Sequence, residues 1–130
     1  MEDRFRYDCS GTWFKGNVHM HTTRSDGGLS PAEAAAFYAR AGYDFICITD
    51  HMVPFVAAEH DGHWPLLVLD GVELHGEDDR GLLFHAVCIG NVGGINIDMS
   101  FLDALEKARA QDSFLIWAHP HWSSNLVQDG

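Results

Sequence analysis

Residues 13–20, WFKGNVHM, predict a first strand. Two polar turns follow, and then SPAEAAAFYARAG carries the marks of a helix. Ser30 suits the N-cap, Pro31 the first helical position, and Glu33 the reciprocal position of a capping box. Ala34, Phe37, Tyr38 and Ala41 supply the apolar face, and Gly42 can end the helix in a left-handed conformation. DFICITD (44–50) reads as a short buried strand, and 52–65 as a loop punctuated by Pro54, Gly62 and Pro65. LLVLDGVEL (66–74) and LLFHAVCIG (82–90) each read as one strand, paired as a hairpin through the turn at 76–81. A second helix is expected over Phe101–Ala110, capped by Ser100, with Leu102 and Leu105 as its buried stripe and Asp103–Lys107 as a surface pair. SFLIWAH (113–119) is the last strand. The order β-α-β, β-β, α-β implies a layered or barrel-like α/β architecture with largely parallel strands.

The chain has 130 residues, which is the size of one domain. No apolar run approaches the length of a membrane span, and the N-terminus lacks the basic-then-apolar pattern of a secretory signal. Cys9, Cys47 and Cys88 are widely spaced and odd in number. That argues against a disulfide framework and for a reducing, cytoplasmic setting. The net charge of −11 opposes nonspecific nucleic-acid binding, which rests on cationic neutralisation of phosphates. It leaves a phosphorylated small molecule open as substrate, because bound divalent cations reverse the local field.

Chemistry enters through the positions of the nine histidines. His19 and His21 share one strand face. Asp50 and His51 end the second strand, Glu73 lies near the end of the third, and His119 ends the last. In α/β sheets and barrels, these ends gather on one rim. His85 lies inside a strand between Phe84 and Ala86. Buried polar groups without partners cost on the order of 2–7 kcal/mol each, and a divalent cation removes that cost. Imidazoles with carboxylates and no neighbouring thiol favour zinc, manganese or iron over calcium. His75 shares the face of Glu73 and could reach the rim, but it is not assigned to the site. His60, His63 and His121 read as solvated, and Trp64, Trp117 and Trp122 as packing residues.

NVHMHTTRSDG, ITDH, GVELHG, FHAVCIG and AHP occur in the order typical of PHP domains, the polymerase-and-histidinol-phosphatase family of metal-dependent hydrolases. The chain resembles that family over roughly residues 12–121. The resemblance implies a distorted β/α barrel, TIM-like, with two or three divalent ions at its C-terminal rim. By the same resemblance, His19, His21 and Glu73 would hold one ion. Glu73 would bridge to a second, shared with His85 and His119, and Asp26 and His51 would serve a third. Asp50 would orient a water or help move protons, unless it only stabilises its turn. Arg24, by its place between the HxH pair and Asp26, could meet an anionic oxygen of the substrate, although an exposed loop arginine is the commoner case.

The implied activity is a metal-dependent phosphoesterase working through a metal-bridging hydroxide. The alternatives are cleavage of carboxylic ester, amide or carbamate bonds, and a non-catalytic metal-binding or interaction module. A nucleic-acid role stands third. No late Asp-x-His motif follows His119, and only five strands are predicted. The expectation is therefore an incomplete barrel, a single domain over 1–130 cut before its final strands. An open edge of that kind invites an oligomer or a complementing segment.

Overall fold

The computed structural model describes residues 8–121; Trp122 and Asp129 lie outside them. The elements are β1 (Gly16–Asn17), α1 (Pro31–Arg40), β2 (Phe45–Cys47), a 3-10 turn (Ala57–Glu59), β3 (Leu67–Leu69), β4 (Gly71–Glu77), β5 (Leu83–Ile89), α2 (Phe101–Ala110) and β6 (Phe114–Trp117). Strands β1, β2 and β3 form a parallel sheet, and β4, β5 and β6 an antiparallel one. Among the described residues there is no closed barrel.

Both helices start where their local chemistry dictates. Ser30 accepts from Glu33 N, and the Glu33 carboxylate accepts from Ser30 N, which completes the capping box. Ser100 likewise accepts from Asp103 N. Gly42 takes a φ of +80°, which a residue with a Cβ rarely adopts. The buried faces are each displaced from expectation. Ala34 and Ala35 pack inward on α1, while Phe37 is 52% exposed. On α2 the inward residues are Phe101, Ala104 and Ala108; of the expected stripe, Leu105 packs against that core while Leu102 is 40% exposed. Small side chains let each helix approach its sheet closely, so alanines take the positions that larger apolar residues seemed to claim.

Three strand expectations are corrected. The first strand shrinks to Gly16–Asn17; beyond it a single main-chain bond from Thr49 N to Met20 O is joined by side-chain bonds. Met20 N donates to Thr49 Oγ1, and His19 N to Asn17 Oδ1. The segment 66–74 is two strands in different sheets, giving six strands instead of five. The sheets are parallel and antiparallel in equal share, not largely parallel. The break falls at Asp70, whose backbone and side chain bond elsewhere. Its carbonyl accepts from Gly90 N and Cys47 Sγ, and its carboxylate from Ala57 N. The β4–β5 hairpin is antiparallel, as expected.

The two cores lie on separate sheets. One gathers Met20, Ile46, Ile48, Phe55 and Val68 around α1. The other gathers Val72, Leu74, Ala86, Cys88 and Phe101 around α2. Gly71 stands where they meet. It exchanges two backbone hydrogen bonds with Phe55 (2.8 and 3.1 Å) and pairs with Ile89 in the ladder. A Cβ there would lie 2.4 Å from Cys47 Sγ and 2.7 Å from Ile48 O. Gly71→Ala is therefore expected to destabilise the chain by about 1–3 kcal/mol in urea denaturation, the usual cost of forcing extra volume into a packed core.

Candidate metal centre

The hairpin places Glu73 in the interior of β4, fully buried. A buried carboxylate needs partners, and four imidazoles converge on this one. Its Oε2 lies 2.9 Å from His19 Nε2, 3.0 Å from His21 Nε2 and 3.6 Å from His51 Nδ1. Its Oε1 lies 3.1 Å from His119 Nε2. His19 and His21 come from the segment leaving β1, which runs beside Thr49. His51 is held against β4 by a parallel bridge to Glu73 itself, with Glu73 N on Asp50 O and Met52 N on Glu73 O. His119 follows β6, where Ala118 N bonds His85 O. Met52 (φ +53°) and His119 (φ +27°) both hold a left-handed backbone. Such strained conformations outside glycine collect at functional sites.

The ligand atoms form two groups that share the carboxylate: His19, Glu73 and His119, and His21, His51 and Glu73. His19 and His21, expected on one ion, thus fall in different groups, although both reach Glu73 Oε2. The Nδ1 of His85 faces the Nδ1 of His119 at 3.4 Å, so His85 meets the centre through His119. Asp26 stands at the exposed rim, with its carboxylate 3.8 Å from His21 Nδ1 and 3.6 Å from His51 Nε2.

Asp50 is fully buried. It accepts from Thr22 N (2.7 Å), Thr22 Oγ1 (2.6 Å) and Ser25 Oγ (2.6 Å). Those bonds fix the turn between His21 and Asp26. Thr22 and Ser25 escaped the sequence reading, although TTRSD set two hydroxyls beside the predicted ligands. Arg24 donates to Pro54 O (3.2 Å) and lies over the Phe55 ring.

Of the remaining histidines, His75 reaches the cluster, with its Nδ1 3.3 Å from His51 Nδ1. His60, expected in solvent, stacks on Phe55 with ring centroids 4.4 Å apart. His63 and His121 are exposed, Trp64 packs on Phe55, and Trp117 is half in solvent beside Phe84.

The electrostatics suit a cation. Burial pushes the Glu73 carboxyl up, but the His19 hydrogen bond and the positive potential of His19, His51 and His21 outweigh it and hold the group at about 2. Burial lowers His51 and His85 below the ordinary imidazole value, against the pull of Glu73. Neutral imidazoles carry the free lone pair that a metal needs. The His21 Nδ1 atom is buried and has no hydrogen-bond partner. A buried nitrogen without a hydrogen-bond partner, a carboxylate approached by four imidazoles, and a hard-plus-nitrogen donor set together fit divalent ions such as zinc, manganese or iron.

The same arrangement of elements recurs in solved proteins. A two-domain protein from Bacteroides vulgatus, described as containing a predicted PHP-like metal-dependent phosphoesterase, superposes with a TM-score of 0.65 at 25% identity, over 85% of this chain and 36% of that one. In fold, the chain resembles this PHP-like protein. A second structure, from Bifidobacterium adolescentis and inferred to be a metal-dependent phosphoesterase, matches with a TM-score of 0.52 at 24% identity, over 62% of this chain and 29% of that one. In sequence, 37 residues are 49% identical to the DNA polymerase/3'-5' exonuclease PolX of Bacillus subtilis, covering 28% of this chain and 6% of that protein. No family model matches the sequence. The chain spans about a third of the length of the solved structures it matches.

The depressed carboxyl sets an acid limit on the metal-free fold. A carboxyl that is lower folded than unfolded stabilises above its unfolded value and loses that contribution as pH falls toward its folded one. A buried neutral imidazole acts in the same direction, starting nearer neutrality. The metal-free chain should therefore lose stability progressively below neutral pH and steeply between pH 4.5 and about 2. Denaturant midpoints measured across that range check this, and Glu73→Gln should flatten the acid limb.

Proposed function

We propose that the chain carries the centre of a metal-dependent phosphoesterase acting on a small phosphorylated molecule. The observation that supports it most is Glu73: one buried carboxylate shared by two imidazole groups, with Oε2 near His19, His21 and His51 and Oε1 near His119. His19, Glu73 and His119 would hold one ion, and His21, His51 and Glu73 another. Asp26 would add a carboxylate at the rim, next to His21 and His51. The likeness to PHP-like structures supports hydrolytic chemistry in general. When bound, divalent ions acidify a water toward neutrality and supply positive charge to phosphoryl oxygens.

The protein's own residues prepare that chemistry. Glu73 neutralises charge at the centre of the cluster and ties its two halves together. His85 orients the His119 ring through its far nitrogen, which fixes the tautomer that presents Nε2. Asp50, saturated by three donors, holds the turn carrying His21 and Asp26 in register. This contact set supports a positioning role in place of proton transfer. Arg24, anchored at Pro54, would offer its remaining N–H groups to an anionic oxygen. The centre draws on both sheets, so the described residues would act as one unit. Buried thiols at Cys47 and Cys88, both pushed up to about 12 by burial, suit a reducing compartment.

Elemental analysis of the metal-supplemented chain should give two or three ions, and Glu73→Gln should lose at least two of them. Saturation at a hundredfold over Kd should stabilise the fold by about 2.7 kcal/mol per site. Phosphomonoester or diester turnover should appear with metal and disappear with chelator. Stoichiometric metal without any turnover would favour a binding module, and turnover confined to carboxylic esters or amides would reassign the substrate.

A further inference from the structure

We propose that Gly27 is a positioning residue for the ion held by His21, His51 and Glu73: its bare Cα lets the chain pack on the peptide after His21 and so aims that imidazole. The proposal rests on the metal-centre reading above. The histidines of the centre are not held alike. The His119 ring is oriented through its far nitrogen by His85. His21 lacks such a tether, because its Nδ1 is buried and has no hydrogen-bond partner. A ligand imidazole is normally aimed by a hydrogen bond to its other nitrogen. Without one, His21 is aimed by its backbone.

That backbone is gripped from two sides. On one side Thr22 N donates to Asp50 Oδ1 at 2.7 Å, and Thr22 Oγ1 to Asp50 Oδ2 at 2.6 Å. On the other, the turn folds back and Gly27 N donates to Thr22 O at 2.9 Å. A Cβ on Gly27 would overlap the His21 carbonyl group and lie 2.7 Å from Thr22 N. Non-bonded carbons sit best about 3.5–4.0 Å apart. All the crowded atoms are backbone, so no flexible side chain can give way, and the peptide after His21 has to move. Gly27 does not hold a left-handed backbone, so space and not conformation demands the glycine.

The disturbance stops short of the other ion. Thr49 holds Met20 by three bonds: Met20 N donates to Thr49 Oγ1, and Thr49 N and Oγ1 both donate to Met20 O. His19 lies beyond that anchor, and its partner His119 follows β6. His21 lies on the near side, with the Asp26 carboxylate 3.8 Å from its Nδ1. Gly27 thus acts on one ion of the pair.

The test compares the full chain with Gly27→Ala and with Gly28→Ala, whose added Cβ meets nothing within 4 Å. Both substitutions restrict the unfolded chain to a like degree, so the difference between them reports the crowding at His21. Zinc competition against a chromophoric chelator and the visible absorption of the cobalt(II)-loaded protein follow the ions. Circular dichroism and the urea midpoint follow the metal-free fold. The expected result is wild-type binding of at least two ions, with one of them weakened about tenfold or more in Gly27→Ala and its cobalt bands altered. The other ion, and Gly28→Ala throughout, should be unchanged. Gly27→Ala binding both ions as the wild type does overturns the proposal. So does equal weakening of both ions, or loss of the fold, since either makes Gly27 a packing residue only. Each of these outcomes leaves the metal centre standing. A wild-type chain that binds no ion overturns both.

Discussion

Burying one carboxylate sets the terms for everything around it. Glu73 sits in a strand interior with no exposed surface, where an ionised carboxylate without partners would cost far more than the fold's net stability. The chain answers with imidazoles rather than lysine or arginine. The choice has a chemical consequence. A guanidinium would neutralise Glu73 permanently and leave no lone pair. Imidazoles can give up their protons and offer nitrogen to a cation instead. The cluster is thus a polar core in the metal-free protein and a ready coordination shell.

That shell is assembled across a topological seam. Glu73 belongs to the antiparallel sheet and His119 follows its last strand, while His19, His21 and His51 leave the strands of the parallel one. Asp70 and Gly71 form the seam, with Asp70 bonded to β2, the 3-10 turn and the end of β5. Cation binding would add coordinate bonds between sheets whose apolar cores are otherwise separate. Metal affinity and inter-sheet stability should then be linked quantities.

Signals that act over a few residues were readable in the sequence. Ser30, Pro31 and Glu33 announced one helix and Ser100 the other, because capping is satisfied within a single turn. The gathering of His19, His21, His51, Glu73 and His119 was also legible, since strand ends converge whatever the details of the sheet. Long-range decisions were not legible. LLVLDGVEL looks like one strand until the partners of Asp70 are known, and those partners lie at Cys47, Ala57 and Gly90. The inward faces of both helices depended on how closely the sheets approached, which favoured alanine over Phe37 and Leu102. His60 looked solvated because nothing local reveals that Phe55 would lie beneath it.

The segment between β2 and β3 invites description as a lid, since it is long, punctuated by proline and lies beside the centre. Phe55 argues otherwise. Its backbone is bonded in both directions to Gly71, its ring is fully buried, and His60, Trp64 and Arg24 rest on that ring. Swinging the segment aside would tear two main-chain bonds and drag an aromatic anchor out of the core. The cluster meets solvent instead at Asp26 and His75, both exposed, and needs no moving segment to be reached there.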